Sequence, residues 1–266
     1  MNKEKIKLSL FLEFIILVGI LGVTSIFITN DNIQEETSFL VDIGLETEID
    51  IKVKQLRSKY GINIIYGDET IDIVRNVNGN VILDENIILK NLNILENTLL
   101  KYRDDFFLKD RLTIVLLKSF NNNNLALASK NNLGEYKIYL SDNKDFERSI
   151  HHEIYHVFEY MNDIKDDKEY IKWNKLNPKD FSYSNNINLL NNKYIFGSTL
   201  ESNDVYFVSK YSKTSSKEDR AEVFAEMMID RYDFNDNINL INKIDMIEEI
   251  INDTNSKILI DINKYD

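Results

Sequence analysis

Apolar residues recur at three- and four-residue spacing in several stretches of this chain and alternate in others, and the two periods predict different elements. Residues 46–59 read as a helix closed by Gly61, and Ile62 to Tyr66 as a strand. Asn78-Gly79 reads as a turn between two short strands. A helix over 85–104 carries Ile87, Leu92, Leu95, Leu99 and Leu100. Arg111 to Leu117 has the composition of a buried strand, and Leu125–Ser129 and Glu135–Leu140 flank Asn131–Gly134 as a hairpin. In the second arm, charged or aromatic residues alternate with apolar ones, which predicts an edge strand with one face on a core. Phe146, Ile150, Ile154, Val157 and Met161 form the apolar stripe of a helix over 145–161. A polar, irregular stretch occupies 163–210, with Trp173 and Pro178, and helices are expected over about 216–232 and 236–253. Strands mixed with helices come first and helices alone afterwards. The expected class is α+β, with an upper α+β lobe over 31–162 and a mostly helical lower lobe over 163–266.

The N-terminus has a different pattern. Lys3, Lys5 and Lys7 precede an apolar run from Leu8 to Ile28 in which Glu13 is the sole charge. At 1.5 Å per residue such a run is long enough to cross a bilayer core of roughly 30 Å. The basic flank predicts a cytoplasmic N-terminus and export of the chain beyond residue 30. Residues 1–30 are therefore read as a membrane anchor, or as a cleaved signal, although no A-x-A cleavage pattern is visible. The expected location is extracellular or at the cell surface.

Composition narrows the chemistry. The 266 residues carry a net charge of −12, which argues against a general nucleic-acid binder. The absence of cysteine excludes disulfides, thiol nucleophiles and Cys-ligated metals. Any metal must be held by histidine and carboxylate. The chain is expected to be a monomer whose partner is a peptide or protein substrate.

All three histidines lie within His151-His152-Glu153-Ile154-Tyr155-His156. On a helix, His152 and His156 stand one turn apart on one face, so both rings can reach one zinc ion at about 2.0–2.1 Å. Glu153 lies at the edge of that face, placed to meet a water without ligating the metal. His151 has no partner four residues away and is left out. A catalytic zinc needs a third protein ligand and an open position. Glu159 and Asn162 stand where the glycine and third histidine of a metzincin would follow the motif, and the chain has no other histidine or cysteine, so that ligand must be an oxygen. The best candidate is Glu218, at the head of a stripe continued by Ala221, Ala225, Met228 and Tyr232, where a carboxylate is costly unless a partner compensates it. Ser215 and Glu218 also spell a capping box. Glu222, Asp219 and Glu201 remain as other oxygen donors. One turn on, Glu222 can accept a hydrogen bond from a ligand histidine and set its tautomer.

His152-Glu153-Ile154-Tyr155-His156, with Tyr211 seven residues before Glu218 and the run Glu218-Asp219-Arg220-Ala221-Glu222, resembles the catalytic domain of anthrax toxin lethal factor and the secreted Pro-Pro endopeptidases. These are gluzincin-type zinc metallopeptidases. The resemblance implies a zincin-like fold: a small mixed sheet with an antiparallel edge strand and an active-site helix above a helical lower lobe. It implies one zinc per chain on His152, His156 and Glu218, Tyr211 as oxyanion stabiliser, and Glu222 as a supporting residue. Arg220 stands where the family often has an aromatic residue, so substrate loops and Pro-Pro specificity are not carried over.

The function expected from the sequence is a zinc-dependent endopeptidase with Glu153 as general base. Its substrate would extend along the edge strand at Tyr136, Ile138 and Leu140, with 163–210 walling the cleft. The competing class is a zinc-stabilised, non-catalytic cell-surface binding module, which would have no need of Glu153.

Overall fold

A computed structural model describes residues 46–103, 106–107, 111–122, 124–162, 164, 171–184, 205–229 and 237–253. The apolar run Leu8–Ile28, Glu201, Tyr232 and most of 163–210 lie outside them. Among the described residues no helix is long and apolar enough to cross a membrane.

Helix α1 (Glu48–Tyr60) leads to strand β1 (Asn63–Ile65), a 3-10 turn (Gly67–Thr70) and helix α2 (Ile71–Val77). Helix α2 is too short for its apolar spacing to announce it. Asn78, in the left-handed conformation at φ 56°, closes α2 rather than turning between adjacent strands. Strand β2 (Gly79–Asn80) comes next and pairs antiparallel with the distant β4 (Ser119–Phe120). Helix α3 (Glu85–Leu99) starts at Asp84, whose carboxylate accepts the N–H groups of Asn86 and Ile87. Strands β3 (Leu112–Leu117), β5 (Ala126–Lys130) and β6 (Tyr136–Ser141) lead to helix α4 (Phe146–Met161). Helices α5 (Ser216–Ile229) and α6 (Ile238–Asp253) complete the order.

The main sheet has the order β1-β3-β6-β5, parallel except for the antiparallel β5–β6 hairpin. This is the expected mixed sheet with an antiparallel edge strand, but the edge is the other arm of the hairpin. Strand β6 is paired on both sides, and Tyr136, Ile138 and Leu140 sit in the main core at 5%, 0% and 0% exposure. Their backbone is committed and their side chains are sealed, so the expected substrate role of these three residues is withdrawn. Alternation reports that one face is buried; it does not report whether a second strand lies alongside.

The register also shows which groups of β5 face outward. Ser141 N–H donates to Leu125 C=O, and Asn131 N–H donates to Glu135 C=O. In an antiparallel ladder the bonded pairs alternate, so Leu127 and Ser129 also face β6. Ala126, Ala128 and Lys130 therefore turn their backbone N–H and C=O groups away from β6, on a side where no other strand pairs among the described residues.

Helix α4 packs on β5 and β6 on one side and on α3 and α5 on others. The sequence shows one apolar stripe, yet the structure buries Phe146 and every residue from Arg148 to Glu159. His151 faces away from His152, and its Nδ1 lies 2.5 Å from the buried Tyr102 hydroxyl. Burial pushes the His151 pKa down to about 4, against raising contacts from Glu147. The neutral ring accepts a hydrogen bond from the Tyr102 hydroxyl. A depressed histidine stabilises the fold above its unfolded pKa, and that contribution is lost as pH falls toward the folded value. Between pH 6.5 and about 4 the wild type should lose about 3 kcal/mol relative to a His151→Gln variant. Urea midpoints of both proteins across that window check this.

Candidate metal centre

Two helices build the site by presenting matching ladders. On α4, Arg148, His152 and His156 stand at successive turns of one face; on α5, Glu218, Glu222 and Glu226 do the same. Arg148 bridges Glu226 and Glu222, His152 lies between Glu222 and Glu218, and His156 meets Glu218. The rungs run in opposite directions along the two helices, so α4 and α5 are antiparallel.

At one end the ladder forms a triangle. His152 Nε2 lies 3.1 Å from Glu218 Oε2, His156 Nε2 lies 3.2 Å from the same oxygen, and the two Nε2 atoms are 3.1 Å apart. Among the described residues these three also form the group able to hold a metal ion. Ligand atoms at about 2.0–2.1 Å from a tetrahedral zinc stand about 3.3 Å apart, so the observed triangle fits the ion. The donors agree. If each ring carries its proton on Nδ1, two nitrogen lone pairs and a carboxylate oxygen converge, an arrangement that only a cation relieves. Two imidazoles and one carboxylate, three protein ligands rather than four, match a catalytic rather than a structural zinc site.

Electrostatics points the same way. Burial lowers the His156 pKa, but the Glu218, Glu159 and Glu153 carboxylates carry it well above the usual histidine range. Burial raises Glu218, and the two imidazoles overcome this to hold it well below the carboxylate range. The pocket favours positive charge at its centre. The Glu218 backbone N–H donates to Ser215 Oγ at 3.1 Å, while its side chain turns to the imidazoles, so the cap on the helix start and the triangle coexist.

Behind the triangle, His152 Nδ1 stands 2.9 Å from Glu222 Oε1. Glu222 lies on the far side of the ring, away from the Nε2 triangle. Arg148 grips Glu222 with two bonds, NH1 to Oε1 at 2.9 Å and NH2 to Oε2 at 2.7 Å, and its Nε reaches Glu226 at 2.5 Å. His156 has a looser counterpart, with Nδ1 3.6 Å from Glu159 Oε2, while Arg220 Nε donates to Glu159 Oε1 at 2.7 Å. The two arginines cross over. Arg148 on α4 neutralises α5, and Arg220 on α5 neutralises α4.

Glu153 is 2% exposed at the edge of the triangle and accepts a backbone bond from Ala128 of β5. Its pKa is raised by burial, against the lowering effect of both imidazoles. Tyr211 lies in a 3-10 turn (Tyr211–Lys213), its ring 6.0 Å from that of His152 and its hydroxyl bonded to Glu218. Burial and the Glu218, Glu153 and Glu222 carboxylates raise its pKa, which keeps the hydroxyl protonated. Asp219 points away from the triangle. Its Oδ2 accepts Lys243 Nζ at 2.7 Å, Tyr183 OH at 2.8 Å and Trp173 Nε1 at 2.9 Å, pinning α6 and the 171–184 stretch beside Glu218.

Sequence reasoning missed Arg148, Glu226, Glu159, Ser209 and Lys243. A signal existed for the first two: Arg148 is one turn before His152, and Glu226 one turn after Glu222. A charge continuing a buried ladder on both helices marks a pairing face.

No model of a known protein family matches the chain, and no curated protein sequence matches it. Among solved structures, that of a candidate zinc-binding metallo-peptidase from Bacteroides caccae superposes with a TM-score of 0.50 at 16% identity, over 79% of this chain and 87% of that one. The chain shares the α+β fold of that structure. At that identity the likeness concerns architecture, and the chemistry rests on His152, Glu153, His156 and Glu218.

Two outcomes are expected. Glu218→Ala should reduce zinc bound per chain, measured by elemental analysis after dialysis, while His151→Gln should not. Arg148→Ala strips Glu222 and Glu226 of their buried counter-charge and should cost about 3–5 kcal/mol in urea unfolding.

Proposed function

We propose that this chain is an exported zinc-dependent endopeptidase of the type typified by lethal factor and the Pro-Pro endopeptidases. The observation that carries the reading is the Nε2–Nε2–Oε2 triangle with the Glu153 carboxylate buried at its edge. His152, His156 and Glu218 would hold one zinc ion. Zinc bound there supplies Lewis acidity, which makes water acidic near neutrality and polarises a carbonyl.

The chain's own groups do the rest. Glu153 takes a proton from the attacking water and delivers it to the leaving amine. Its raised pKa suits a carboxylate that must hold a proton between two steps. Tyr211 keeps its hydroxyl proton and donates it as a hydrogen bond to the oxyanion that develops on the scissile carbonyl. An extended peptide pairs with the outward backbone groups of β5 other than the Ala128 N–H, which Glu153 already holds. Leu8–Ile28, as anchor or signal, delivers the domain to the cell surface or beyond it. A non-catalytic zinc module has no use for a buried carboxylate beside the triangle or for a protonated tyrosine turned toward it.

The test is cleavage of a proteome-derived peptide library by the zinc-loaded protein. Cleavage should stop with chelator and return with added zinc. Glu153→Gln should retain zinc and urea stability while turnover falls by about 10²–10⁴-fold. Full turnover in that variant removes Glu153 as the base.

A further inference from the structure

Four polar groups close on the Glu222 carboxylate. A carboxylate offers about four lone-pair positions. Oε1 is approached by Arg148 NH1 at 2.9 Å and by His152 Nδ1 at 2.9 Å, and Oε2 by Arg148 NH2 at 2.7 Å and by the Ser209 hydroxyl. Ser209 is buried at 5% exposure. Its single proton goes to Glu222, so its oxygen can only accept elsewhere. It does so from Ser212 N–H at 3.1 Å, with Ser212 Oγ 3.3 Å away. Ser212 belongs to the 3-10 turn that begins at Tyr211. One hydroxyl therefore joins the carboxylate behind His152 to the backbone that carries Tyr211.

We propose that Ser209 is a positioning residue that, through Glu222, ties the tautomer of His152 to the seating of the Tyr211 turn. Glu222 is a carboxylate that can only accept, so the 2.9 Å approach of His152 Nδ1 favours the tautomer with its proton on Nδ1 and Nε2 bare toward the triangle. Taking the Ser209 proton away frees one position on Oε2 and releases the Ser212 N–H together. The carboxylate is then held by Arg148 alone and can shift with it relative to the ring, and the turn loses its anchor. The inference rests on the reading of Tyr211 as the oxyanion donor, while its His152 arm rests on geometry alone.

The experiment uses the full chain. Zinc affinity is measured by competition with a chromogenic chelator, the His152 tautomer by imidazole 15N shifts, and kcat and KM on a peptide selected from the library. Ser209→Ala should weaken zinc binding by about tenfold, the lower end for loss of an orienting partner. It should turn a single Nδ1–H tautomer of His152 into a mixture and lower kcat by about tenfold with little change in KM. Ser209→Thr, which keeps the hydroxyl, should restore all three. Added to Tyr211→Phe, Ser209→Ala should deepen the kcat loss far less than the product of the single effects. Wild-type zinc affinity and tautomer in Ser209→Ala overturn the proposal, and so does a fully additive kcat loss. If Tyr211→Phe alone leaves kcat unchanged, it is the reading of Tyr211 that fails, and the coupling falls with it.

Discussion

Arg148 between Glu222 and Glu226 is the contact on which the metal centre depends. All three side chains are almost fully buried, and none could be so without the others, because an isolated charge in a protein interior is prohibitively expensive. The arginine sets the register of α4 on α5, and that register brings His152 opposite Glu222 and His156 opposite Glu218. A slip of one turn would put Arg148 against Glu222 and Glu218 and leave His156 without a carboxylate of α5. The site is thus the open end of a longer charge ladder whose closed end is structural. The crossing pair, Arg220 with Glu159, does the same work on the other flank.

An ion held by the triangle would make metal binding and helix docking parts of one event. Two of the converging atoms come from α4 and one from α5, so an ion held by all three cross-links the helices at one end while Arg148 links them at the other. Asp219 extends the lock outward. It comes directly after Glu218, yet turns to Lys243, Trp173 and Tyr183, so the residue beside the ligand fastens α6 and the 171–184 stretch. Consecutive residues of α5 face different partners because a helix turns about 100° per residue. The same rotation sends His151 into the core against Tyr102 while His152 enters the ladder.

Much of the site was legible in the chain. Spacing of four between His152 and His156, and the lack of any other nitrogen or sulfur donor, left a carboxylate as the third candidate ligand. The costly place of Glu218 at the head of a small-residue stripe singled it out. The edge strand was not legible. Glu135–Leu140 alternates as an edge would, but β5 covers its outer side, and pairing between strands involves backbone groups that every residue possesses.

Local periodicity and residue chemistry by themselves determined the long helices, the hairpin, and the residue types that a metal could use. Those properties depend on neighbours three or four positions away. Only the tertiary structure decided that α4 is buried all round, that its charges are matched rung by rung from a helix about seventy positions later, and that the Ser209 hydroxyl joins Glu222 to the turn carrying Tyr211. Those facts depend on which surfaces meet, and hydrogen-bond and charge complementarity across distant segments leaves no period in the sequence to read.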